Sequence, residues 1–330
     1  MKKLEIKRII ENFSQKTILI IGDVMVDSYL WGKVERISPE APVPIISSTK
    51  RENRMGGAAN VALNIQALGG KAILCSVIGK DNEAEIFLEL MEKNFLKKDG
   101  IFLNKNRKTT VKTRIISHNQ HLLRIDEEID EYLNKYLEKK FFLKIKEILL
   151  KNKIDAVIFE DYDKGLITPF LIKKVVKIAN ENNIPILIDP KKRNFNYYKN
   201  ITIFKPNFKE LKEGLKMEIK KDDFKSIFKA SQVLMKKNKH KYIMVTLSEL
   251  GIFICDKNDY HQIPTKVRDV TDVSGAGDTV ISVASLCISS GLNFIDTARI
   301  SNLAGGLVCE KVGVVPINKL EILKKIMKQI

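Results

Sequence analysis

The most informative stretch of the chain, at positions 272–279, reads Asp272-Val273-Ser274-Gly275-Ala276-Gly277-Asp278-Thr279. It follows the end of a predicted strand and opens a predicted helix. Small residues let backbone N–H groups approach an anion closely, and a helix N-terminus adds positive potential. Asp278 would face that anion, which favours a base that takes a proton from an attacking hydroxyl. The alternative is a glycine-rich turn with Asp278 as an ordinary helix-start residue.

Strand-like apolar runs alternate with helical patterns along the chain. The strand-like runs are residues 17–21, 72–78, 156–159, 185–188, 201–205, 242–246 and 252–255. The helical patterns are residues 58–68, 83–91, 132–150, 169–180, 279–290 and 294–308. This alternation is typical of crossover connections between parallel strands, so the sequence predicts an α/β fold with helices on both faces of a largely parallel sheet.

Two regions interrupt this alternation. Residues 28–48 combine prolines with short β-prone pieces, and residues 109–125 alternate polar and apolar side chains. Both patterns predict short antiparallel strands outside the main sheet, which can pair into a small flap. Because the sequence has no internal repeat, low-complexity stretch or interdomain linker, we expect a single domain over residues 1–330 with this flap inserted.

The composition excludes several classes of protein. Of 330 residues, 44% are hydrophobic and 29% charged, which is typical of a globular chain that can bury a sizeable core. The sequence has no membrane-spanning apolar run and no signal-peptide core, so we expect a soluble cytoplasmic protein without a membrane partner. The net charge of +17 comes mostly from scattered lysines. We expect no nucleic-acid partner, because no basic, aromatic-interleaved recognition motif occurs.

Glycines and carboxylates near the first strand form a second candidate cluster. Gly56 and Gly57 open a predicted helix that contains Asn60, and they suit close approach to a polar ligand. Asp23 and Asp27 follow the first strand, and ligands of open α/β sheets bind at the carboxyl ends of the strands. These two carboxylates are therefore candidates for hydrogen bonds to sugar hydroxyls. The alternatives are a plain turn for the glycines and cap or turn positions for the carboxylates.

Asn207 and Glu210 form a candidate metal-associated pair. They lie one helical turn apart, which suits the holding of a hydrated Mg²⁺ ion. The alternative is a capping box at a helix N-terminus. The sequence has no Walker A loop, no protein-kinase H-R-D or D-F-G set and no G-x-G-x-x-G after a strand. P-loop and dinucleotide-binding folds therefore lose support.

Three of these segments together resemble the ribokinase-like (PfkB) carbohydrate kinases. The glycine cluster at 56–69 and the run at 272–278 resemble the two signatures of that family, and Asn207-x-x-Glu210 matches its Mg²⁺-associated motif. They occur in the family's order and spacing across nearly the whole chain. The resemblance implies a Rossmann-type three-layer sandwich with a small β-sheet flap over the sugar. It also implies ATP as phosphoryl donor and Mg²⁺ as cofactor, and it leaves a monovalent cation open.

Further segments are similar to the heptose-7-phosphate 1-kinases within that family: RISPEAPVP at 36–44, NQHLLRID at 119–126, DPK at 189–191 and SELG at 248–251. This similarity implies ATP-dependent phosphorylation of D-glycero-β-D-manno-heptose 7-phosphate at the anomeric C1 hydroxyl, on the ADP-heptose route to lipopolysaccharide core. Two alternatives stay open. One is a kinase for another sugar or sugar phosphate, and the other is a non-catalytic sugar or nucleotide sensor on this fold.

The resemblance implies a role for each candidate residue. Asp278 is the general base, and the N–H groups of Gly275, Ala276 and Gly277 stabilise the transferring phosphoryl group. Mg²⁺ lies near Asn207 and Glu210. The implied sugar site comprises Asp23, Asp27, Gly56, Gly57 and Asn60. The implied cations for the 7-phosphate, otherwise solvated surface charges, are Arg124, Lys164 and Lys191. The implied nucleotide site comprises Asn207, Thr246, Ser248, Gly251, Gly275, Gly277 and Asn302.

The chain departs from the family pattern at two places. Ser248 stands where many ribokinase-like enzymes have glycine, and Glu160 and Asp163 flank residues 161–162 where smaller residues are expected. Many relatives also carry a C-terminal adenylyltransferase domain, whereas this sequence has no H-x-G-H motif. We therefore expect no adenylyltransferase domain and a separate protein for the next activating step. The resemblance further implies a homodimer formed through the flap.

Overall fold

The computed structural model describes residues 3–117, 120–265 and 270–329. The strands are β1 (Thr17–Gly22), β2 (Val24–Ile37), β3 (Pro44–Gly57), β4 (Lys71–Ile78), β5 (Ile101–Leu103), β6 (Val111–Ser117), β7 (Gln120–Glu127), β8 (Ala156–Glu160), β9 (Ile186–Asp189), β10 (Ile203–Phe204), β11 (Tyr242–Thr246), β12 (Ile252–Cys255) and β13 (Tyr260–Ile263). The α-helices are α1 (Lys3–Glu11), α2 (Ala58–Ala67), α3 (Asn82–Lys93), α4 (Lys135–Lys151), α5 (Pro169–Glu181), α6 (Phe208–Leu215), α7 (Phe224–Asn238), α8 (Ala276–Ser289), α9 (Phe294–Cys309) and α10 (Lys319–Gln329).

Nine strands form the main sheet, in the order β13-β12-β11-β10-β9-β8-β1-β4-β5. Neighbouring strands from β11 to β5 are parallel, whereas β12 is antiparallel to both β11 and β13. The parallel strands are short apolar runs because both faces of the sheet are covered, and residues 18–21 of β1 are fully buried. The carboxyl ends of the parallel strands share one edge, which brings the loops after β1, β8, β9 and β10 together.

Helices cover both faces of this sheet. Ile18 and Ile20 of β1 pack into one apolar cluster with residues of α2, α8 and α9. Leu19 and Ile21 pack into the opposite cluster with residues of α4, α5 and α7. This alternation follows from the pleat of a strand, which points successive side chains to opposite faces. The predicted three-layer α/β arrangement is therefore confirmed.

A separate four-stranded sheet forms the flap, in the order β3-β2-β6-β7. The expectation of short antiparallel strands is wrong in two respects: β2 and β3 are 14 residues long, and the central pair, β2 and β6, is parallel. A parallel pair needs a long crossover connection, and the chain supplies one through α2, β4, α3 and β5 before β6 joins β2. Asn119, at the start of one kinase-like segment, lies outside the described residues.

One residue, Asp23, separates β1 of the main sheet from β2 of the flap. Its backbone N–H donates to the Glu160 carbonyl at 3.2 Å, and its carbonyl accepts from the Ala58 N–H at 3.0 Å. The flap therefore leaves the main sheet at its carboxyl edge, beside the start of α2. In the described parts of the chain, no helix has both the length and the apolar character needed to cross a membrane.

Candidate active site

Asp278 lies in the first turn of α8 and is only 4% exposed. The Asn60 side-chain amide donates to its Oδ2 at 2.7 Å, and the Tyr162 hydroxyl donates to its Oδ1 at 2.8 Å. Burial raises the pKa of Asp278 to about 6, although these two hydrogen bonds and the charge of Lys205 lower it and that of Asp189 raises it. A carboxylate with this pKa is ionised at neutral pH and can still accept a proton.

The turn before Asp278 presents backbone donors. Gly275 precedes α8 with φ 78°, a left-handed conformation that glycine adopts without strain. The Ala276 N–H donates to the Val273 carbonyl at 3.3 Å. The N–H groups of Gly275 and Gly277 have no acceptor among the described residues, so they can donate to a docked anion at this helix N-terminus.

A buried ion pair lies against this turn. Lys205 Nζ is 2.6 Å from Asp189 Oδ2, and both side chains are buried. A Cβ on Gly277 would lie 3.5 Å from Asp189 Oδ2 and 3.7 Å from Lys205 Nζ, so the pair touches the turn directly. Glu160 is buried nearby, and burial together with the charges of Asp189 and Asp278 raises its pKa well above its usual value. Lys205 supplies positive charge beside the turn.

Asn207 and Glu210 form a capping box at the start of α6, which is the alternative given for this pair. The Asn207 side chain accepts from the Glu210 N–H at 2.8 Å, and the Glu210 carboxylate accepts from the Asn207 N–H at 2.8 Å. The other Glu210 oxygen accepts from Lys191. Burial alone would lower the pKa of Lys191, but the charges of Asp189, Glu210 and Glu160 outweigh burial and raise it. The structure thus places Lys191 beside the metal-associated motif.

The residues predicted to bind the nucleotide lie next to this capping box, at the end of β11 and around Gly251. Thr246 ends β11 and is bridged to Asn207. Ser248 and Gly251 adopt positive φ values of 53° and 83°, and a Cβ on Gly251 would clash with the backbone of β13. Asn302 donates to the Pro264 carbonyl at 3.0 Å. Glycine at 251 is therefore needed for the close approach of two backbone segments.

The Asp23 carboxylate contacts the loop after β8. It accepts backbone N–H groups from Tyr162 at 3.0 Å and Lys164 at 3.2 Å, and a third from Leu166 at 3.4 Å. Burial raises the pKa of Asp23, whereas the charge of Arg107 and these backbone donors lower it. Asp23 thus supports the loop that carries Tyr162, and a direct contact with the sugar stays a prediction.

Asp27 is buried at the base of the flap, where it forms an ion pair with Arg114 of β6. A Cβ on Gly56 would clash with Asp27 Oδ2. Gly57 has φ 61°, and a Cβ there would clash with the Asp23 carbonyl. The two glycines therefore allow protein groups to approach closely in this structure. Asn60, in the helix that follows them, contacts Asp278.

The two remaining phosphate candidates lie near the flap. Arg124 of β7 is exposed and pairs with Asp126 at 2.8 Å. With Arg114, it lines a cleft of about 420 Å³ between the flap and residues 271–274. Lys164 Nζ lies 2.7 Å from Glu128. Flap and body thus enclose a cleft with two arginines.

Sequence reasoning missed three residues of the site. Tyr162 attracted notice only for its acidic neighbours, although it contacts Asp278. Arg114 is one polar residue in an alternating strand, and nothing local indicates that it pairs with Asp27. Lys205 precedes the Asn207 motif in a lysine-rich chain, so sequence gives little signal that it is buried.

Comparison with known proteins identifies the class to which this fold and site belong. Residues 15–320 match the pfkB family of carbohydrate kinases, so the chain belongs to this family and is a sugar kinase. Phosphofructokinase-2 from Escherichia coli, solved in complex with potassium, has a TM-score of 0.77 at 18% identity, covering 95% of this chain and 98% of that chain. Arabidopsis thaliana ribokinase complexed with ribose and ATP has a TM-score of 0.71 at 18% identity, covering 94% and 99%. The predicted ribokinase-like fold is confirmed.

Closer similarity in sequence is found with proteins named "Bifunctional protein HldE". The Helicobacter pylori (strain HPAG1) protein is 40% identical over 302 residues, covering 90% of this chain and 64% of that protein. The Pelobacter propionicus protein is 34% identical over 329 residues, covering 99% and 66%. The chain thus spans about two thirds of the length of these relatives.

Proposed function

We propose that this sugar kinase transfers the γ-phosphoryl group of ATP to the anomeric C1 hydroxyl of D-glycero-β-D-manno-heptose 7-phosphate. The product is the 1,7-bisphosphate, which would enter ADP-heptose synthesis for lipopolysaccharide core. The kinase-like segments of the flap and the similarity to the HldE proteins support this substrate. Since ATP is the donor, we assign the reaction to the cytoplasm.

The observation that carries the proposal is the buried Asp278 carboxylate, held by Asn60 and Tyr162 at the start of α8. We assign it as the base that takes the proton of the C1 hydroxyl while the hydroxyl oxygen attacks the γ-phosphorus. As the new O–P bond forms, the bond to the leaving ADP breaks and its electron pair goes to ADP. The proton remains on Asp278.

Positive potential beside this base supports the phosphoryl transfer. Gly275 and Gly277 offer backbone N–H groups, and the N-terminus of α8 adds its dipole. Lys205 lies next to Gly277, is paired with Asp189 and supplies a positive charge beside the turn. These groups would hold the charge that develops on the transferring phosphoryl group.

The residues on the ATP side fit a hydrated Mg²⁺ ion. The described residues contain no cluster of three metal-ligating side chains, which suits an ion held mainly by phosphates and water. Asn207 and Glu210 would hold this ion, and Lys191 would lie beside it. When bound, the ion neutralises charge on the ATP phosphates.

The flap supplies the sugar-phosphate side of the proposal. Arg114 and Arg124 line the cleft of about 420 Å³, and guanidinium groups suit a phosphate dianion. Asp27 lies at the base of the flap beside the glycine pair, where we propose that it binds sugar hydroxyls. Lys164 and Lys191 remain further candidates for the 7-phosphate.

Turnover against a panel of sugars tests this function. We would measure ADP release with D-glycero-D-manno-heptose 7-phosphate, sedoheptulose 7-phosphate, fructose 6-phosphate, ribose and no sugar. We expect turnover with the manno-heptose phosphate and a loss of about 10²–10⁴-fold in Asp278→Asn. The exposed Asp222→Asn serves as the matched control and keeps full activity. Preference for another sugar would overturn the substrate, and ATP binding without any turnover would favour a sensor.

We also propose a homodimer formed through the flap. The flap strands and the turn between β2 and β3 expose apolar side chains, namely Ile37, Val43, Leu122, Leu123 and Ile125. Exposed apolar patches mark interaction surfaces. Light scattering is expected to give the mass of a dimer for the wild type and of a monomer for Leu123→Asp. A monomeric wild type across micromolar concentrations would overturn this proposal.

A further inference from the structure

Tyr162 is fixed in place from three sides. Its hydroxyl donates to Asp278 Oδ1 at 2.8 Å, and its backbone N–H donates to Asp23 Oδ2 at 3.0 Å. Lys191 Nζ lies 5.7 Å from the centre of its ring. The residue belongs to the loop after β8, which Asp23 holds through further backbone hydrogen bonds. A side chain anchored in this way can determine the orientation of the carboxylate that it contacts.

The two oxygens of Asp278 have different donors. Asn60 donates to Oδ2 and Tyr162 donates to Oδ1. A carboxylate that accepts hydrogen bonds is favoured in its ionised form, which opposes the effect of burial. Without the tyrosine hydroxyl, Oδ1 loses its donor among the described residues, and the Asn60 amide alone orients the carboxylate.

The other charged groups around Asp278 act through space. Asp189 from β9 disfavours the ionised form and Lys205 after β10 favours it, and these two are paired with each other. Burial, together with the charges of Asp189 and Asp278, raises the pKa of Glu160 on β8. Burial and the nearby carboxylates raise the pKa of Tyr162 well above its usual value, so its hydroxyl stays protonated and donates.

We propose that Tyr162 is a positioning residue for the base: its hydroxyl orients the Asp278 carboxylate and keeps it in the proton-accepting form. This inference rests on the proposed role of Asp278. Tyr162 acts through Asp278 and needs no contact with the sugar or with ATP. Its hydroxyl therefore controls the pH range over which the kinase works.

Two substitutions at position 162 change the hydrogen bond in opposite directions. Tyr162→Phe removes the hydroxyl but keeps the ring beside Lys191 and the backbone hydrogen bond to Asp23. Incorporation of 3-fluorotyrosine at this position keeps the hydroxyl and makes it a stronger donor, because the fluorine withdraws electrons. The pair separates the strength of the hydrogen bond from the packing of the ring.

The readout is the pH dependence of kcat/KM for the sugar phosphate, measured from pH 5 to pH 9 at saturating ATP. For Tyr162→Phe, we expect the acid limb to move up by about one pH unit, as expected for a lost hydrogen bond to a charged group. Activity then falls about tenfold below pH 6 and recovers towards pH 8. For the fluorotyrosine protein, we expect the acid limb to move to lower pH. Ionisation of the substrate phosphate is common to all proteins, so only differences between profiles count.

Tyr198→Phe is the matched control. It removes a 2.8 Å hydrogen bond from another buried tyrosine to a different carboxylate, Asp161. Its acid limb is expected to stay in place. An equal loss of activity at every pH in Tyr162→Phe, or an equal shift in Tyr198→Phe, would overturn the inference.

Two further outcomes complete the test. If thermal melting shows that Tyr162→Phe does not fold, the fluorotyrosine protein decides, and an unmoved limb there overturns the inference. Full activity of Asp278→Asn would refute the base itself and with it the role of Tyr162, whereas absence of turnover in the wild type would refute the proposed function. An inactive Asp278→Asn with an unmoved limb in Tyr162→Phe would refute only the role of Tyr162.

Discussion

Replacing Asp278 by asparagine is expected to reduce turnover by about 10²–10⁴-fold and also to stabilise the fold at neutral pH. Burial raises the pKa of Asp278 from its usual 3.8 to about 6. Between these values the folded protein holds a proton that the unfolded chain has released. The stability contributed by this group is therefore present below about pH 4 and is lost as the pH rises through 6. The neutral amide of asparagine does not titrate, so the variant does not lose this stability as the pH rises.

The magnitude follows from the two pKa values. A shift of about two units corresponds to about 3 kcal/mol at pH 8, at about 1.36 kcal/mol per unit. At pH 5 the same values give about 1.5 kcal/mol, so the advantage of asparagine grows by about 1.5 kcal/mol from pH 5 to pH 8. With an unfolding entropy of about 2.1 cal/mol/K per residue over 330 residues, 1 kcal/mol moves Tm by about 1.4 °C. The difference in Tm between variant and wild type should widen by about 2 °C.

Differential scanning calorimetry at pH 5, 6, 7 and 8 measures this difference. Repacking of the new amide against Asn60 adds an offset that does not depend on pH, so the change with pH is decisive. Asp222→Asn, an exposed control, should show no such change. A difference in Tm that stays constant or narrows as the pH rises would refute the raised pKa of Asp278. It would also remove the physical reason for its action as a base near neutral pH.

Three further predictions concern the surroundings of this carboxylate. Asp189→Asn leaves Lys205 buried without its counter-charge. We therefore expect the free energy of unfolding to fall by about 3–5 kcal/mol and Tm to fall by about 4–7 °C. The control Lys98→Met, which removes an exposed ion pair, should show no measurable change. Arg114→Met removes the partner of Asp27 and a cation of the cleft. Steady-state kinetics should therefore show a KM for the sugar phosphate at least about tenfold higher, with a smaller change in kcat. An unchanged KM would contradict the assignment of Arg114 to the phosphate. Chelation of divalent ions by EDTA should stop ADP release and added Mg²⁺ should restore it, whereas persistent turnover would exclude a metal requirement.

The main sheet could be predicted because its strands carry their own signal. Residues 18–21 form an uninterrupted apolar run, and such a run is expected where both faces of a parallel strand are covered. The structure of the flap was harder to predict from the sequence. Alternation over residues 109–116 predicts a strand, but the partner and direction of β6 depend on the path of the chain through the main sheet.

The candidate site divides in a similar way. Asp278 and the capping box of Asn207 are local motifs, in which residue type and spacing indicate a role. Tyr162 contacts Asp278 across 116 positions of sequence, and no local pattern reports such a contact. Lys205 is one of 57 lysines and arginines, and only the fold shows that it is buried beside a carboxylate.

The attachment of the flap through Asp23 determines which part of it can move. The backbone of this residue is hydrogen-bonded on both sides, and its carboxylate accepts three N–H groups from the loop after β8. Rotation of the whole flap about Asp23 would break all these hydrogen bonds at once. The register between β2 and β3 is irregular at residues 31–32 and 34–36, further out. The flap is therefore held at its base, where Asp27 lies, and the irregular pairing is confined to its outer part. A sugar that enters beneath the outer part of the flap would meet carboxylates that stay in position.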